Sequence, residues 1–477
     1  MHTVEKIGGT SMSDYSSVRD NIILNKQRCK PYGRIFVVSA YAGVTDRLLE
    51  HKKSGKPGVY GLFSAGMEDG SWLREFEDLH TALREINAAL FAELDLLDQA
   101  NDFLKARMDE ARRCLLGLQT LCQHGHFSLA SHLNTVREML ASIGEAHSAW
   151  NMAALLRRDG VNACFVDLTG WRTRQHLTLD ERIEEALNKL DVETQLPIVT
   201  GYAHSRHGLM STFDRGYSEM TFSRLAVLSQ ASEAIIHKEF HLSSADPRLV
   251  GEVNAVPIGR TNYDVADQLA NLGMEAIHPR AAKGLRQSKI PLRVRNTFEP
   301  DHAGTLITTD YCSDTPCVEI VAGCKGVYAL EIFDQDMVGN IHDYDVEVLK
   351  VIKRFKAHIV AKDINANTLA HYLKSNLKTI KRIRAEIESQ FPEAEIDQKK
   401  VAIVSAIGSD MKVPGILAET VQALAEKKIS LLAVHQSMRQ VDMQFVIDES
   451  DYESTVKSLH AAMVEVHDHG RAICLAS

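Results

Sequence analysis

The sequence predicts an α/β protein: a large domain on a mainly parallel sheet, followed by two ferredoxin-like modules of βαββαβ order. Three observations carry that expectation. The opening residues read strand, glycine turn, helix, strand. Residues 35–40 (IFVVSA) form a continuous apolar run, as a parallel strand covered on both faces requires. After Cys317 a strand-helix-strand-strand-helix order occurs twice at comparable length.

Residues 3–7 are a short extended run, broken by Gly8-Gly9-Thr10-Ser11. Ser13 is placed to cap a helix with Tyr15, Val18 and Ile22 on one face. Between about 67 and 154, Leu73, Phe76, Leu79, Leu83, Ile86 and Leu90 recur at helical spacing, and Leu94, Leu97, Leu115, Leu118 and Leu121 continue the pattern. No proline falls between Pro57 and Pro197, so several consecutive helices are expected there. Strands are expected again at 163–166, 198–201, 234–236 and 290–294, with a helix over 263–276. The first domain is expected to span 1–309, the first small module 310–395 and the second 396–477, with Phe391-Pro392-Glu393 as linker.

Composition narrows the function. The chain has 477 residues, 45% of them hydrophobic and 25% charged, so it is globular rather than disordered. Its formal net charge is −9, which gives no general attraction to nucleic acid or anionic membrane. No apolar run approaches the ~20 residues of a membrane span, and the start lacks a signal-peptide pattern. Eight scattered cysteines with no CxxC pair read as reduced thiols, and a cytoplasmic protein is expected. His124, His126 and His132, like Cys312, Cys317 and Cys324, do not complete a zinc set at usual spacing, so no resident metal is expected.

Several short segments carry chemistry. Lys6 stands at a strand end beside Gly8 and Gly9. Glycines let backbone N–H groups approach a phosphate, and the lysine adds charge where phosphoryl charge develops. Ser39-Ala40-Tyr41-Ala42-Gly43-Val44-Thr45 follows the second strand, where α/β proteins bind ligands. Glu145, after Ser142-Ile143-Gly144, can hold an ammonium group. In 212–219, Arg215 can fork a carboxylate, Ser218 can donate, and Glu219 can take a proton or orient a metal. Ser243 and Arg248, in the turn Ser243-Ser244-Ala245-Asp246-Pro247-Arg248, can meet phosphate. Each segment alone also reads as a turn or a solvated charge.

Their order resembles the aspartate kinases of the amino-acid kinase superfamily. KIGGTS at 6–11, VSAYAGVT at 38–45, IGE at 143–145, ADPR at 245–248, IHPR at 277–280 and IPLRVRNTF at 290–298, closed by GTLI at 304–307, match that family's motifs through about residue 309. The tail resembles paired ACT modules. The resemblance implies a three-layer αβα kinase domain that moves the γ-phosphate of ATP, with Mg²⁺, onto the side-chain carboxylate of L-aspartate. It implies Lys6 and Glu219 as catalytic, and Ser39, Thr45, Glu145, Arg215 and Ser218 around the amino acid. Lys6, Gly8, Gly9, Ser11, His237, Lys238, Ser243 and Arg248 would meet the nucleotide. Asp334, Gln335, Asp336, Met337, Gln436 and Ser437 would line an amino-acid effector site, and a homo-oligomer is implied. Three departures stand out: Tyr217 replaces a glycine, Glu219 an aspartate, and His237-Lys238-Glu239-Phe240 the usual WTDV. They resemble the divergent class linked to ectoine biosynthesis. Two rivals are a related kinase acting on another amino acid and a catalytically silent sensor that keeps the fold.

Overall fold

The structure, a computed structural model, describes residues 1–25, 30–52, 54–66, 70–213, 216–274 and 277–474. The chain forms two compact units, Met1–His241 with Ile277–Thr309, and Leu242–Ala276 with Asp310–Ser477. The first unit ends at Thr309. The assignment of 242–276 differs from the sequence expectation, for a reason visible in the second unit.

In the first unit seven strands are β1 (Thr3–Ile7), β2 (Arg34–Val38), β3 (Ala163–Val166), β4 (Leu196–Thr200), β5 (Glu233–Lys238), β6 (Leu292–Asn296) and β7 (Thr305–Thr308). They lie in the order β3-β4-β2-β1-β5-β6-β7. The first six are parallel and β7 runs antiparallel to β6. β2 and β4 are buried along their whole length, which explains the apolar runs at 35–38 and 196–199 within them. Because the strands are parallel, the residues following β1, β2, β4, β5 and β6 (Gly8, Ser39, Gly201, Glu239 and Thr297) all leave by one edge of the sheet. This is where ligands bind in open α/β folds.

A buried ion cluster fixes the register at the centre of the sheet. Arg34 forks Glu5, Nε to Oε1 at 2.7 Å and Nη2 to Oε2 at 2.8 Å, and His237 Nε2 lies 2.7 Å from Oε2. Burial alone would raise the pKa of Glu5, but the Arg34 charge and the bonds from His237 and Arg34 hold it well below the usual carboxylate range. Side chains alternate along a strand, so clamping Glu5 on one face of β1 fixes Lys6 on the other.

The expected helical segment forms three long helices, α2 (Ser71–Leu90), α3 (Leu94–Cys122) and α4 (Leu133–Arg158). The first helix differs from expectation. The glycine turn leads straight into the short α1 (Gly9–Met12), and Asp14, rather than Ser13, caps the next turn by accepting the Ser17 N–H at 3.0 Å. A π-helical turn, Val18–Ile23, follows, and Arg34 Nη1 donates to the Ile22 carbonyl at 2.9 Å. α5 (Tyr217–Leu228) follows the fourth strand.

The second unit holds one six-stranded antiparallel sheet. Its two longest strands are β8 (Ile320–Phe333) and β11 (Glu395–Ile407), paired along most of their length. β9 (His358–Asn365) and β10 (Thr368–Lys374) flank β8, while β12 (Leu431–Gln436) and β13 (Asp442–Asp448) flank β11, giving β9-β10-β8-β11-β13-β12. The far half of β8 and the near half of β11 belong to one module, and their other halves to the second. The first module is therefore interposed in the second, where the sequence suggested two modules end to end. The helix α6 (Tyr263–Asn271) joins this unit because Val265 and Leu269 share a buried core with Val327, Tyr372, Ile403 and Val446. It ends before the expected residue 276, with Leu272 as its C-cap.

Candidate active site

Lys6 and Glu219 meet at the carboxyl edge of the first unit's sheet. Lys6 Nζ lies 3.8 Å from Glu219 Oε1, with the side chains 10% and 17% exposed. Glu219 sits in the first turn of α5, and its other oxygen accepts the His278 N–H. The ring of the same histidine crowds Gly216, where a Cβ would stand 2.5 Å from His278 Cδ2. Lys6 is thereby a nearly buried cation paired, among the described residues, with the Glu219 carboxylate.

Glu145 lies deeper. It projects from α4 and is 1% exposed. Ser218 Oγ donates to its Oε1 at 2.7 Å, while Oε2 has no hydrogen-bond partner among the described residues. Burial pushes the Glu145 carboxyl up to about 8, partly offset by the Ser218 bond, the Lys6 charge and Tyr217. Tyr217 is buried and meets the Tyr202 ring edge-on at 5.7 Å. Gly201 closes the site from below: a Cβ there would stand 2.8 Å from the Val38 carbonyl and 3.0 Å from Glu145 Oε2. A buried carboxylate with an unused oxygen is suited to an ammonium group.

Small residues bring the loops together. A Cβ on Gly144 would press to 2.9 Å from Ala40 Cβ, so this glycine lets α4 approach the loop after β2. Ser148 Oγ, one turn on, donates to the Ser39 carbonyl at 2.8 Å. A Cβ on Gly9 would stand 2.6 Å from the Ala40 carbonyl, which places the glycine turn against the same loop. Thr45 lies in the short helix Val44–Leu48 that ends it. Behind that loop, Asn87 and Asn151 hydrogen-bond around His147, whose pKa burial lowers to about 3.

The structure thus gathers Lys6, Gly8, Gly9, Ser11, Ser39, Glu145, Ser218 and Glu219 on one edge. Arg215 lies outside the described residues. His237, expected at the nucleotide, is 4% exposed and its ring is committed to Glu5, so only its backbone faces the glycine turn. Lys238 is half-buried, its ammonium 6.0 Å from the Phe240 ring centroid. Ser243 and Arg248 belong to the second unit. Ser243 Oγ donates to the Ala245 carbonyl, and Arg248 is exposed and forked onto Asp246. In the expected effector loop, Gln335 and Asp336 are exposed, as are Gln436 and Ser437. Met337, by contrast, is in the module's core, and Asp334 accepts the Asp336 N–H and the Tyr344 hydroxyl, so neither presents its side chain to a ligand. Sequence reasoning assigned no role to Glu239, Thr297 or His278. Their signal, a place just after a strand or at a helix start, is common to many residues without function.

Comparison with known proteins agrees with this geometry. The amino acid kinase family matches residues 1–296, and an ACT domain matches residues 404–463. The chain is 54% identical over 477 residues to the aspartate kinase Ask_Ect of Stutzerimonas stutzeri, covering 100% of both chains. It is 24% identical to the aspartokinase of Candida albicans, covering 97% of this chain and 90% of that one. The fold matches Escherichia coli aspartokinase III in complex with aspartate and ADP, with TM-score 0.71 at 20% identity, over 97% of this chain and 99% of that one. With its lysine pinned beside a glycine turn at the carboxyl edge of a parallel sheet, and ACT-type strands after it, the chain belongs to the amino acid kinase family as an aspartate kinase.

Proposed function

We propose that Lys6 neutralises the phosphoryl group in flight from ATP to the side-chain carboxylate of L-aspartate, giving 4-phospho-L-aspartate. The observation that carries this reading is the nearly buried Lys6–Glu219 pair beside Glu145. A carboxylate is already nucleophilic at neutral pH, so the site needs positioning and charge neutralisation rather than a strong base. Glu145 takes the substrate ammonium, and Ser39, Thr45, Arg215 and Ser218 frame the rest of the amino acid. Gly8, Gly9 and Ser11 cradle the phosphates, and Lys238, in the same unit, contacts the nucleotide.

Oxygen donors suit magnesium, and Glu219 would hold it. No cluster of three or more metal-binding side chains is found among the described residues, so the nucleotide phosphates would supply most of its ligands. The bound ion would neutralise phosphate charge; Glu219 also orients Lys6.

The ACT modules are read as an amino-acid sensor within a cytoplasmic homo-oligomer, and the product is read as feeding ectoine biosynthesis. Among the described residues no helix is long and apolar enough to cross a membrane. Lys6→Ala tests the catalytic assignment. Turnover should fall at least about a hundredfold while the KM for ATP changes little. Near-normal turnover would remove Lys6 from the mechanism.

A further inference from the structure

The glycine turn is already engaged by a carboxylate. Glu239 Oε1 accepts both the Ser11 backbone N–H and the Ser11 hydroxyl, each at 3.1 Å. The Ser11 hydroxyl is also 3.0 Å from Thr297 Oγ1, and Ser11 itself is fully buried. The same carboxylate oxygen would lie 3.7 Å from a Cβ on Gly8, so it covers the turn closely. Glu239 directly follows β5, and all these residues belong to the first unit.

We propose that Glu239 is a gate on the phosphate cradle: its carboxylate holds the Ser11 donors and must be displaced when a nucleotide phosphate takes them. This rests on the reading of residues 8–11 as that cradle. A carboxylate and a phosphate are both anionic acceptors, and one N–H and one O–H cannot serve both at full strength. Like charge also forbids the two from sharing the turn at close range. Glu239 therefore sets a threshold on nucleotide entry, which would be lower for a nucleotide whose phosphate charge Mg²⁺ neutralises. A residue that merely capped the turn would contribute to stability without altering affinity for metal-free nucleotide.

The test is calorimetric binding of ADP to the full-length enzyme in EDTA, for wild type, Glu239→Gln and Glu239→Asp. The glutamine keeps the shape and loses the charge, so it should bind metal-free ADP about tenfold more tightly, on the scale of a charge-assisted bond replaced by a neutral one. The aspartate, one methylene shorter, should fall between glutamine and wild type. Equal or weaker binding by both variants would overturn the gate. Hydrogen exchange of residues 8–12 with saturating ADP separates the two readings. Slowed exchange in wild type with unchanged variant affinities would keep the cradle and remove the gate. Unchanged exchange would remove the cradle, and the gate with it.

Discussion

Replacing Glu145 with glutamine should flatten the pH dependence of aspartate capture. Burial holds the wild-type carboxyl at about 8, so before substrate arrives it carries its proton at neutral pH. An ammonium group requires the ionised form. At one pH unit below that value about one-tenth of the enzyme is ready, so kcat/KM for aspartate should rise about tenfold from pH 7 to its alkaline plateau. The Ser218 hydroxyl, 2.7 Å away, can hold either side chain, so the glutamine variant should fold. It loses the buried charge pair with substrate, and kcat/KM should fall about a hundredfold at the plateau. The assay is the initial rate of hydroxamate formation at subsaturating aspartate, from pH 6.5 to 9. A flat wild-type profile, or a glutamine variant that keeps the rise, would refute the assignment of Glu145 to the ammonium.

Three further outcomes follow from the same physical arguments. Arg34→Ala strands the buried Glu5 carboxylate beside His237, and denaturant unfolding should show about 3–5 kcal/mol of lost stability. A loss below about 1 kcal/mol would mean the cluster does not pin the sheet. Burial raises the buried Glu319 carboxyl to about 7, and it accepts the Ser409 N–H at 3.1 Å. Its folded value lies above its unfolded one, so the stability it contributes is full at pH 4 and lost as pH rises through 7. Glu319→Gln should therefore flatten the decline of Tm between pH 5 and 8; an unchanged slope would contradict this. Turnover titrated with lysine, threonine and their mixture should respond to at least one of them; no response would leave the ACT modules purely structural.

The parallel sheet was legible because β2 and β4 are covered on both faces, and full burial leaves an unbroken apolar run. The three long helices were legible from leucine spacing and the absence of proline. The interposition of one ACT module in the other was not, because it depends on β8 and β11 each serving both modules, which a local pattern cannot show. The placement of 242–276 was hidden for the same reason, since α6 finds its core among residues more than fifty positions away. At the site, Lys6, Glu145 and Glu219 were reached through motif order, and the structure adds what order could not: the contact between Lys6 and Glu219, and the depth of Glu145. His237 shows the limit. A motif position named it for the nucleotide, while its ring is taken by Glu5, a partner 232 residues away in sequence. Glu239, two residues later, is the side chain that reaches the glycine turn.

The most direct measurement is hydroxamate trapping with the full-length enzyme, ATP, Mg²⁺ and L-aspartate. An acyl phosphate reacts with hydroxylamine, whereas ADP and inorganic phosphate do not. Aspartyl hydroxamate should form in equal amount to ADP, and none should form when aspartate is omitted. ADP release without hydroxamate, or hydroxamate formed faster with another amino acid than with aspartate, would contradict this.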